Sequence, residues 1–361
     1  MAKSESQELS EGSSKELSIE YHDFLKNFPH EYGFAKEVEE KEENNNFFNA
    51  SFHCLTNIEI LSKFFIKYYS DNECIYQFII PYKNLLLELI EDKNDENQDD
   101  KNISINEKLK ELKNHITNKM KYNFSKDNDP RKLVACFLND LESKNILPKE
   151  IKTHLFKKCD SCGKNFEQLA LKIFKFDIIK IYNSFYSNND NKILPKEITI
   201  EECFNYYFNQ LKREKFICSE CHEQNIYESI KNLPDILIIF IEYGSDKNCY
   251  LENPYNFEEN INFKNCNFIE GENKNKKYFL SSIIVGKNLG TNFIYTTYCK
   301  QKNKKKGNEQ KGYKYIYYNG KEVKRHYRIT KKIKNAKIDL KDEHQSWPFV
   351  LIYINKNYLF D

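Results

Sequence analysis

Two Cys-x-x-Cys pairs constrain the fold of this chain more than any other sequence feature. The first pair is Cys159 and Cys162, and the second is Cys218 and Cys221. Two thiolates separated by two residues fit on one tight turn, and two such turns complete a tetrahedral metal site. The spacing therefore predicts a structural four-cysteine Zn²⁺ site, with unpaired core cysteines and disulfide pairing as the alternatives.

Composition limits the classes of protein to which the chain can belong. The 361 residues include 25 Tyr and 27 Phe, which is enough for one large or two modest domains with an aromatic core. A net charge of +2 gives no indication of nucleic-acid contact. There are only 10 glycines and no Gly-x-Gly-x-x-Gly or Walker-type motif, so a glycine-rich phosphate loop is not expected.

The distribution of polar residues and cysteines indicates a location. Residues 1–45 are polar and predict a flexible N-terminal segment, and residues 1–18 contain no apolar signal core. No stretch approaches the roughly 20 apolar residues that a membrane span needs. Eleven cysteines, an odd number, indicate a reducing compartment. We therefore expect a protein without membrane contact, in the cytoplasm or the nucleus.

Hydrophobic periodicity predicts helices in the first half of the chain and strands in the last third. Helices are predicted over 46–69, 78–90 and 130–141, the last capped by Asp129, with a charged loop over 91–106 between them. A short helix is predicted from Ile200. Strands are predicted over 174–181, 233–241, 278–285, 293–299, 313–318 and 349–354. A basic loop follows at 300–311, and a solvated loop is the simplest interpretation of it.

Several short blocks, in their order along the chain, resemble the ubiquitin-specific protease family of cysteine deubiquitinases. The resemblance covers about residues 44–355. It is carried by the two Cys-x-x-Cys pairs and by seven blocks, namely 44–55 (NNNFFNASFHCL), 129–134 (DPRKLV), 200–203 (IEEC), 233–241 (LPDILIIFI), 293–298 (FIYTTY), 315–320 (YIYYNG) and 348–353 (PFVLIY). Each block alone is a weak match, but the complete set in this order is specific.

The resemblance implies an α+β, papain-like cysteine protease fold of the ubiquitin-specific protease type. Residues 46–361 would form this domain, with a helical thumb at about 46–150, zinc-bearing fingers at about 151–230 with further strands beyond, and a palm at about 231–361. In the family, ubiquitin rests on the palm and fingers while its tail threads the cleft between thumb and palm.

The catalytic positions implied by the resemblance hold residues that cannot perform the family's chemistry. A cysteine protease needs a thiolate nucleophile, an imidazole base and a group that orients the base. These three positions hold Asn46, Ile294 and Asn319. Neither a carboxamide nor an aliphatic side chain can replace a thiolate or an imidazole, so we expect no catalytic residues and no activity.

Other residues in the chain offer no replacement for the lost groups. No cysteine precedes Cys54, and no histidine lies between His222 and His326, so a small alignment shift restores neither group. Cys54 lies about 12 Å along the helix from Asn46 and is interpreted as a core residue. His53 is adjacent to Cys54 on the helix and faces a different direction. His222 follows Cys221 and is a rival metal ligand, whereas His326 is expected to be exposed.

The surroundings of the implied cleft depart from the family pattern too. Counting without gaps places Lys41 where the family has an oxyanion-binding asparagine. Lys132 replaces a glutamate, and Asn292 with Phe293 replaces a glycine-rich pair near the histidine strand. The tunnel for a diglycine tail is therefore expected to be blocked.

Three functions follow as hypotheses. The first is a catalytically inactive domain that acts as a protein-interaction scaffold in a larger assembly of the RNA-processing or ubiquitin pathways. The second is a reader that binds ubiquitin or a ubiquitin-like protein without cleaving it. The third, an active thiol protease with an unorthodox site, is the least supported by the residues.

Overall fold

A computed structural model describes most of the chain from residue 46 onward. The described residues are 34, 46–68, 70–90, 98–186, 198–211, 217–224, 226–243, 255–256, 258, 260–264, 273, 275–288, 293–301, 314–319, 322–326 and 346–356. The chain divides into two compact units. The first comprises Met1–Phe137 and Ile294–Tyr327, and the second comprises Leu138–Phe293 and Arg328–Asp361.

Helices form most of the described part of the first unit. They are α1 (Asn46–Thr56), α2 (Glu59–Lys67), α3 (Glu73–Ile90), α4 (Gln98–Lys119) and α5 (Pro130–Ser143), the last of which continues into the second unit. Among the described residues, no helix is both long enough and apolar enough to cross a bilayer. The predicted helix over 46–69 is divided into α1 and α2, and the predicted helices in 78–90 and 130–141 are confirmed within α3 and α5.

Aromatic side chains from four helices meet in the core of this unit. Phe52 of α1 lies 5.4 Å from Phe137 of α5, and Tyr82 of α3 lies 5.1 Å from Phe137, measured between ring centroids. Phe65 of α2 packs edge-on against Tyr82 at 5.2 Å. All four rings are at most 2% exposed, so the helical unit is held by the aromatic core that the composition predicts.

The prediction of a loop over 91–106 is wrong for its second half, because α4 already begins at Gln98. The first turns of α4 carry Gln, Asp, Lys and Asn, a polar composition that is typical of a loop. Its apolar positions are spaced by three or four residues, and this stripe is buried: Ile105, Leu109, Leu112 and Ile116. The stripe packs on α3, so tertiary contact outweighs the polar local composition.

Asp129 caps α5 as predicted. Its carboxylate Oδ1 accepts a hydrogen bond of 2.8 Å from the backbone N–H of Arg131, and the Arg131 guanidinium binds the same carboxylate with its Nη2 at 2.6 Å from Oδ2. The cap satisfies a backbone donor that has no partner within the helix.

Three antiparallel strands complete the first unit. They are β10 (Phe293–Gln301), β11 (Lys314–Asn319) and β12 (Glu322–His326), and each pairs with the next. The predicted strands over 293–299 and 313–318 are confirmed, with β11 beginning one residue later than expected. Beyond its first two residues, the basic loop at 300–311 lies outside the described residues.

The second unit contains strands in three sets. A three-stranded sheet has the order β2 (Asn165–Leu171), β1 (Lys152–Cys159), β5 (Ile226–Asn232). In a larger sheet, β9 (Lys277–Asn288), β13 (Ser346–Asn355), β6 (Ile236–Glu242) and β3 (Ile173–Asp177) are neighbours in that order, and β8 (Asn260–Asn262) pairs with β9. Two short strands, β4 (Ile198–Thr199) and β7 (Tyr255–Asn256), pair in parallel.

Two helices, α6 (Ile178–Tyr186) and α7 (Ile200–Leu211), belong to the same unit. The predicted strand over 174–181 is correct only as far as Asp177, because α6 begins at the next residue, Ile178. The Asp177 Oδ1 atom accepts a 3.0 Å hydrogen bond from the Lys180 backbone N–H, so this carboxylate caps the helix and ends the strand. The short helix predicted from Ile200 is confirmed.

The connector between β5 and β6 is clamped by side chains from later in the chain. Asn273, which is 3% exposed, accepts a hydrogen bond from the Leu233 N–H through Oδ1 at 3.2 Å and donates through Nδ2 to the Lys231 carbonyl at 2.6 Å. The Tyr278 hydroxyl donates to the Pro234 carbonyl at 2.7 Å. The predicted strand over 233–241 therefore begins only at Ile236, because these contacts take the backbone groups of the connector.

Candidate functional site

The four cysteines of the two Cys-x-x-Cys pairs meet in the second unit. Their sulfur atoms all lie within 4.8 Å of one another, with 3.6 Å between the sulfurs of Cys159 and Cys221 and 3.8 Å between those of Cys162 and Cys218. A disulfide bond has a sulfur–sulfur distance of about 2.05 Å, so these cysteines are free thiols. Cys162 is exposed, which removes core packing as the explanation for the set.

Both pairs adopt the same backbone turn. The Cys159 N–H donates to the Lys164 carbonyl at 2.9 Å, and the Gly163 N–H donates to the Cys159 carbonyl at 2.8 Å. In the second turn, the Cys218 N–H donates to the Glu223 carbonyl at 2.9 Å, and the His222 N–H donates to the Cys218 carbonyl at 3.0 Å. The two turns, called the knuckles below, aim two thiols each at a common centre.

The position after the second cysteine of each knuckle has a positive φ. The value is +71° at Gly163 and +60° at His222. His222 is exposed, and it takes part in the knuckle through its backbone. Among the described residues, the group of possible metal ligands consists of the four cysteines and does not include His222. The sequence expectation of a rival histidine ligand is not supported by this geometry.

The thiols of the second knuckle differ in pKa because of their hydrogen bonds and burial. The backbone N–H of Cys221, with that of Glu220, holds the pKa of the Cys218 thiol at about 7, below its usual range. For Cys221 the hydrogen bond at the Glu223 backbone lowers the pKa, but desolvation and hydrogen bonds to Cys159, Cys218 and Cys162 raise it to about 12. Four thiolates in this space repel one another, so a bound cation is what would allow them all to ionise.

The implied nucleophile position lies at the start of α1 in the first unit. Asn46 is the first residue of the helix and is 8% exposed, and all eleven residues of α1 are buried. The N-terminal end of a helix favours negative charge and lowers the pKa of a cysteine placed there. The carboxamide of Asn46 cannot be activated in this way, because it does not lose a proton at neutral pH.

The implied base position lies on β10, the strand next to α1. Thr297 donates from Oγ1 to the Ala50 carbonyl at 2.8 Å, and the Cys299 thiol donates to the His53 carbonyl at 3.6 Å. Because side chains alternate along a strand, Tyr295 shares this helix-facing side, whereas Ile294 lies on the opposite side and is half-buried. Ile294 therefore does not contribute to the packing on α1.

Two residues that follow the nucleophile position on α1, His53 and Cys54, are both buried. Cys54 is 0% exposed, which confirms its interpretation as a core residue. His53 is 1% exposed, and its ring lies between the ring of Phe34 at 3.7 Å and that of Tyr318 at 4.3 Å. No local sequence pattern indicates this stack, because its members lie far apart along the chain.

The remaining cleft positions are described only in part. Lys132 extends from α5 and pairs with Asp127, whose Oδ1 lies 2.6 Å from Nζ, and this carboxylate raises the lysine pKa. Burial, with a contribution from the Asp129 carboxylate, raises the pKa of Tyr295 above its usual range. Lys41 and Asn292 lie outside the described residues, as do the side chains of Phe293, Asn319 and His326.

Comparison with known proteins decides the family. The family model described as ubiquitin carboxyl-terminal hydrolase matches residues 40–353, which is most of the chain. The chain belongs to this family. No curated protein sequence matches it.

Solved structures show which fold the family member has. A chain of the SAGA DUB module Ubp8/Sgf11/Sus1/Sgf73 bound to monoubiquitin aligns with a TM-score of 0.51 at 16% identity, over 95% of this chain and 75% of that chain. The same module bound to ubiquitin aldehyde aligns with a TM-score of 0.50, also at 16% identity and over the same shares. The mixed α/β fold of ubiquitin-specific proteases, expected from the sequence, is therefore confirmed. At this identity the likeness shows the fold alone.

Proposed function

We propose that this protein is a catalytically inactive member of its family that acts as a protein-interaction scaffold. One observation carries the proposal: α1 begins at Asn46, and the first thiol of the chain, Cys54, is fully buried about 12 Å further along the helix. A deubiquitinase needs an ionisable thiol at the start of this helix and an imidazole beside it. Asn46 and Ile294 supply neither.

The scaffold proposal includes a structural zinc ion at the knuckles. Four thiolates at a Zn–S distance of about 2.3 Å form a tetrahedron whose edges are about 3.8 Å. The two measured sulfur–sulfur distances, 3.6 and 3.8 Å, agree with such an edge. The ligands would be Cys159, Cys162, Cys218 and Cys221, and the ion would fasten β1 to the start of β5. A four-thiolate site without an open position suits structure rather than catalysis.

A reader of ubiquitin is the second candidate. It is supported by the structural neighbour that is described as bound to monoubiquitin, which shares the fold of this chain. A binding surface for the body of ubiquitin does not require a nucleophile, so the loss of catalytic groups leaves this function open. The scaffold proposal differs because it needs other protein partners in an assembly, such as those of the RNA-processing or ubiquitin pathways.

Hydrolysis of a ubiquitin–fluorophore conjugate tests the absence of activity. We expect no turnover above the buffer rate, and an active member of the family serves as the positive control. The Cys54→Ala variant is the matched variant, because Cys54 is the cysteine nearest to the family's nucleophile position. Turnover by the natural chain that disappears in Cys54→Ala would refute the inactive assignment and establish an unorthodox thiol protease.

Calorimetric titration with monoubiquitin separates the two remaining functions. Saturable heat would establish a reader, and a ubiquitin shortened at its tail would then show whether the tail contributes. No heat at a high ubiquitin concentration would favour the scaffold, whose partners would be identified by co-purification. The knuckle variant Cys162→Ser gives a control in which the proposed metal site is impaired.

A further inference from the structure

We propose that Phe34 is an anchor that fastens the chain at this position onto α1 through the ring of His53. The segment over 1–45 is polar, yet Phe34 within it is 0% exposed. Its ring stacks on the His53 ring with 3.7 Å between centroids and 13° between planes. The Phe34 backbone N–H also donates to His53 Nε2 at 3.3 Å. The residue is thus bound by its ring and by its backbone.

The histidine that contacts Phe34 is packed and hydrogen-bonded on its other side as well. The ring of Tyr318, on β11, stacks on His53 with 4.3 Å between centroids and 21° between planes. The His53 backbone is fixed as well, because its carbonyl accepts hydrogen bonds from the Cys299 thiol at 3.6 Å and from Asn57 Nδ2 at 2.8 Å. An imidazole between two aromatic rings gives a flat, preorganised surface for a third element of the chain.

The hydrogen bond makes the anchor more specific than burial of an apolar ring. Acceptance at Nε2 requires an imidazole that is unprotonated at this atom, so His53 acts as a neutral acceptor here. Residues 34 and 53 are 19 positions apart, which means that the contact is tertiary rather than part of a local turn. A leucine at position 34 would keep much of the buried apolar area but lose the stack.

The anchor attaches Phe34 to the folded helical unit. The ring stack and the backbone hydrogen bond both belong to one residue, so the contact can open without unfolding the helices beneath it. This inference is independent of the proposed function, since it concerns the attachment of Phe34 rather than binding of ubiquitin.

Hydrogen exchange of the full-length protein, followed by mass spectrometry, tests the anchor. In Phe34→Ala, we expect the peptide containing position 34 to exchange about 10- to 100-fold faster after correction for intrinsic rates, since burial of a phenylalanine ring is lost. In Phe34→Leu, which loses the stacking alone, we expect about a 2- to 10-fold increase. Peptides from α4, which belongs to the same unit as Phe34, should exchange at an unchanged rate in both variants.

Two matched variants decide whether the effect belongs to this contact. Phe28→Ala changes another phenylalanine of the same segment and should leave exchange at position 34 unchanged, and His53→Gln should accelerate it as Phe34→Ala does. The proposal is overturned if Phe34→Ala leaves exchange unchanged, if Phe28→Ala has an equal effect, or if α4 accelerates to the same extent, which would mean a general loss of stability of this unit.

Discussion

Gly163 and His222 occupy equivalent positions in the two knuckles, but only one of them is a residue that adopts positive φ without strain. An L-residue in this region pays about 1–2 kcal/mol, which glycine avoids because it lacks a Cβ. A Cβ built on Gly163 meets nothing within 4 Å, so the backbone conformation alone would penalise a substitution there. The two positions therefore form a matched pair for mutation.

We expect opposite effects from opposite changes at this pair. Gly163→Ala should lower the free energy of unfolding by about 1 kcal/mol, because backbone strain is added without a clash. His222→Gly should leave stability unchanged or raise it by up to about 1 kcal/mol, because strain is removed while the unfolded chain gains freedom. Urea unfolding of both variants measures this. A loss in His222→Gly as large as that in Gly163→Ala would show that the His222 side chain itself stabilises the knuckle.

At the scale of elements, an ion pair joins α3 to α4. Lys101 Nζ lies 3.2 Å from Glu88 Oε1, and the two side chains are 4% and 11% exposed. Removal of one partner from a buried pair is strongly destabilising, because it leaves a charge without compensation. We expect Glu88→Gln to lower the free energy of unfolding by about 3–5 kcal/mol, measured by chemical denaturation.

A double variant and an exposed pair provide the controls for this prediction. Glu88→Leu combined with Lys101→Met replaces both charges by apolar groups and should be close to neutral or stabilising. Lys144→Met removes the partially exposed pair with Asp140 on α5 and should change stability by only about 0.5 kcal/mol. If Glu88→Gln has no larger effect than Lys144→Met, the pair does not help to join the two helices.

The elements also show what the sequence could and could not predict. Regular periodicity and a capping residue correctly predict α5 and its Asp129 cap. Composition correctly predicts most of the strands in the last third of the chain. The start of α4 was missed because its stripe of buried apolar residues begins after several polar ones. The strand that ends at Asp177 is shorter than predicted, because the apolar run continues into α6. The Asp177 carboxylate, which caps α6, marks the boundary between strand and helix.

The same contrast holds for the sites. The spacing of the cysteines was sufficient for the thiol cluster, because each knuckle is a local structure of six residues. The stack of Phe34, His53 and Tyr318 joins three single residues separated by 19 and 265 positions, and no local pattern marks such a contact. The backbone strain at His222 could not be predicted from the sequence either, because the φ of the residue after a Cys-x-x-Cys pair does not follow from its residue type.

At the scale of the whole molecule, the proposed metal links folding to solution conditions. The knuckles lie at the end of β1 and just before β5, which pair so that Cys159 faces Ile226. Without a cation, the four thiols must stay largely protonated or repel one another. The two knuckles are then no longer held together at this end of the three-stranded sheet. The metal is therefore expected to contribute to the stability of the protein and to be needed for the full order of the three-stranded sheet.

Elemental analysis and thermal unfolding test this expectation together. We expect about one zinc per chain, and we expect a strong chelator to lower Tm and to speed hydrogen exchange in β1, β2 and β5. Cys159→Ser should reproduce both effects, whereas Cys74→Ser, at an exposed cysteine remote in sequence from the knuckles, should keep the metal and the Tm. Each thiol must lose its proton to bind, so metal affinity should fall as pH falls. A chain that keeps its Tm and exchange rates after complete metal removal would show that the knuckles fold without an ion.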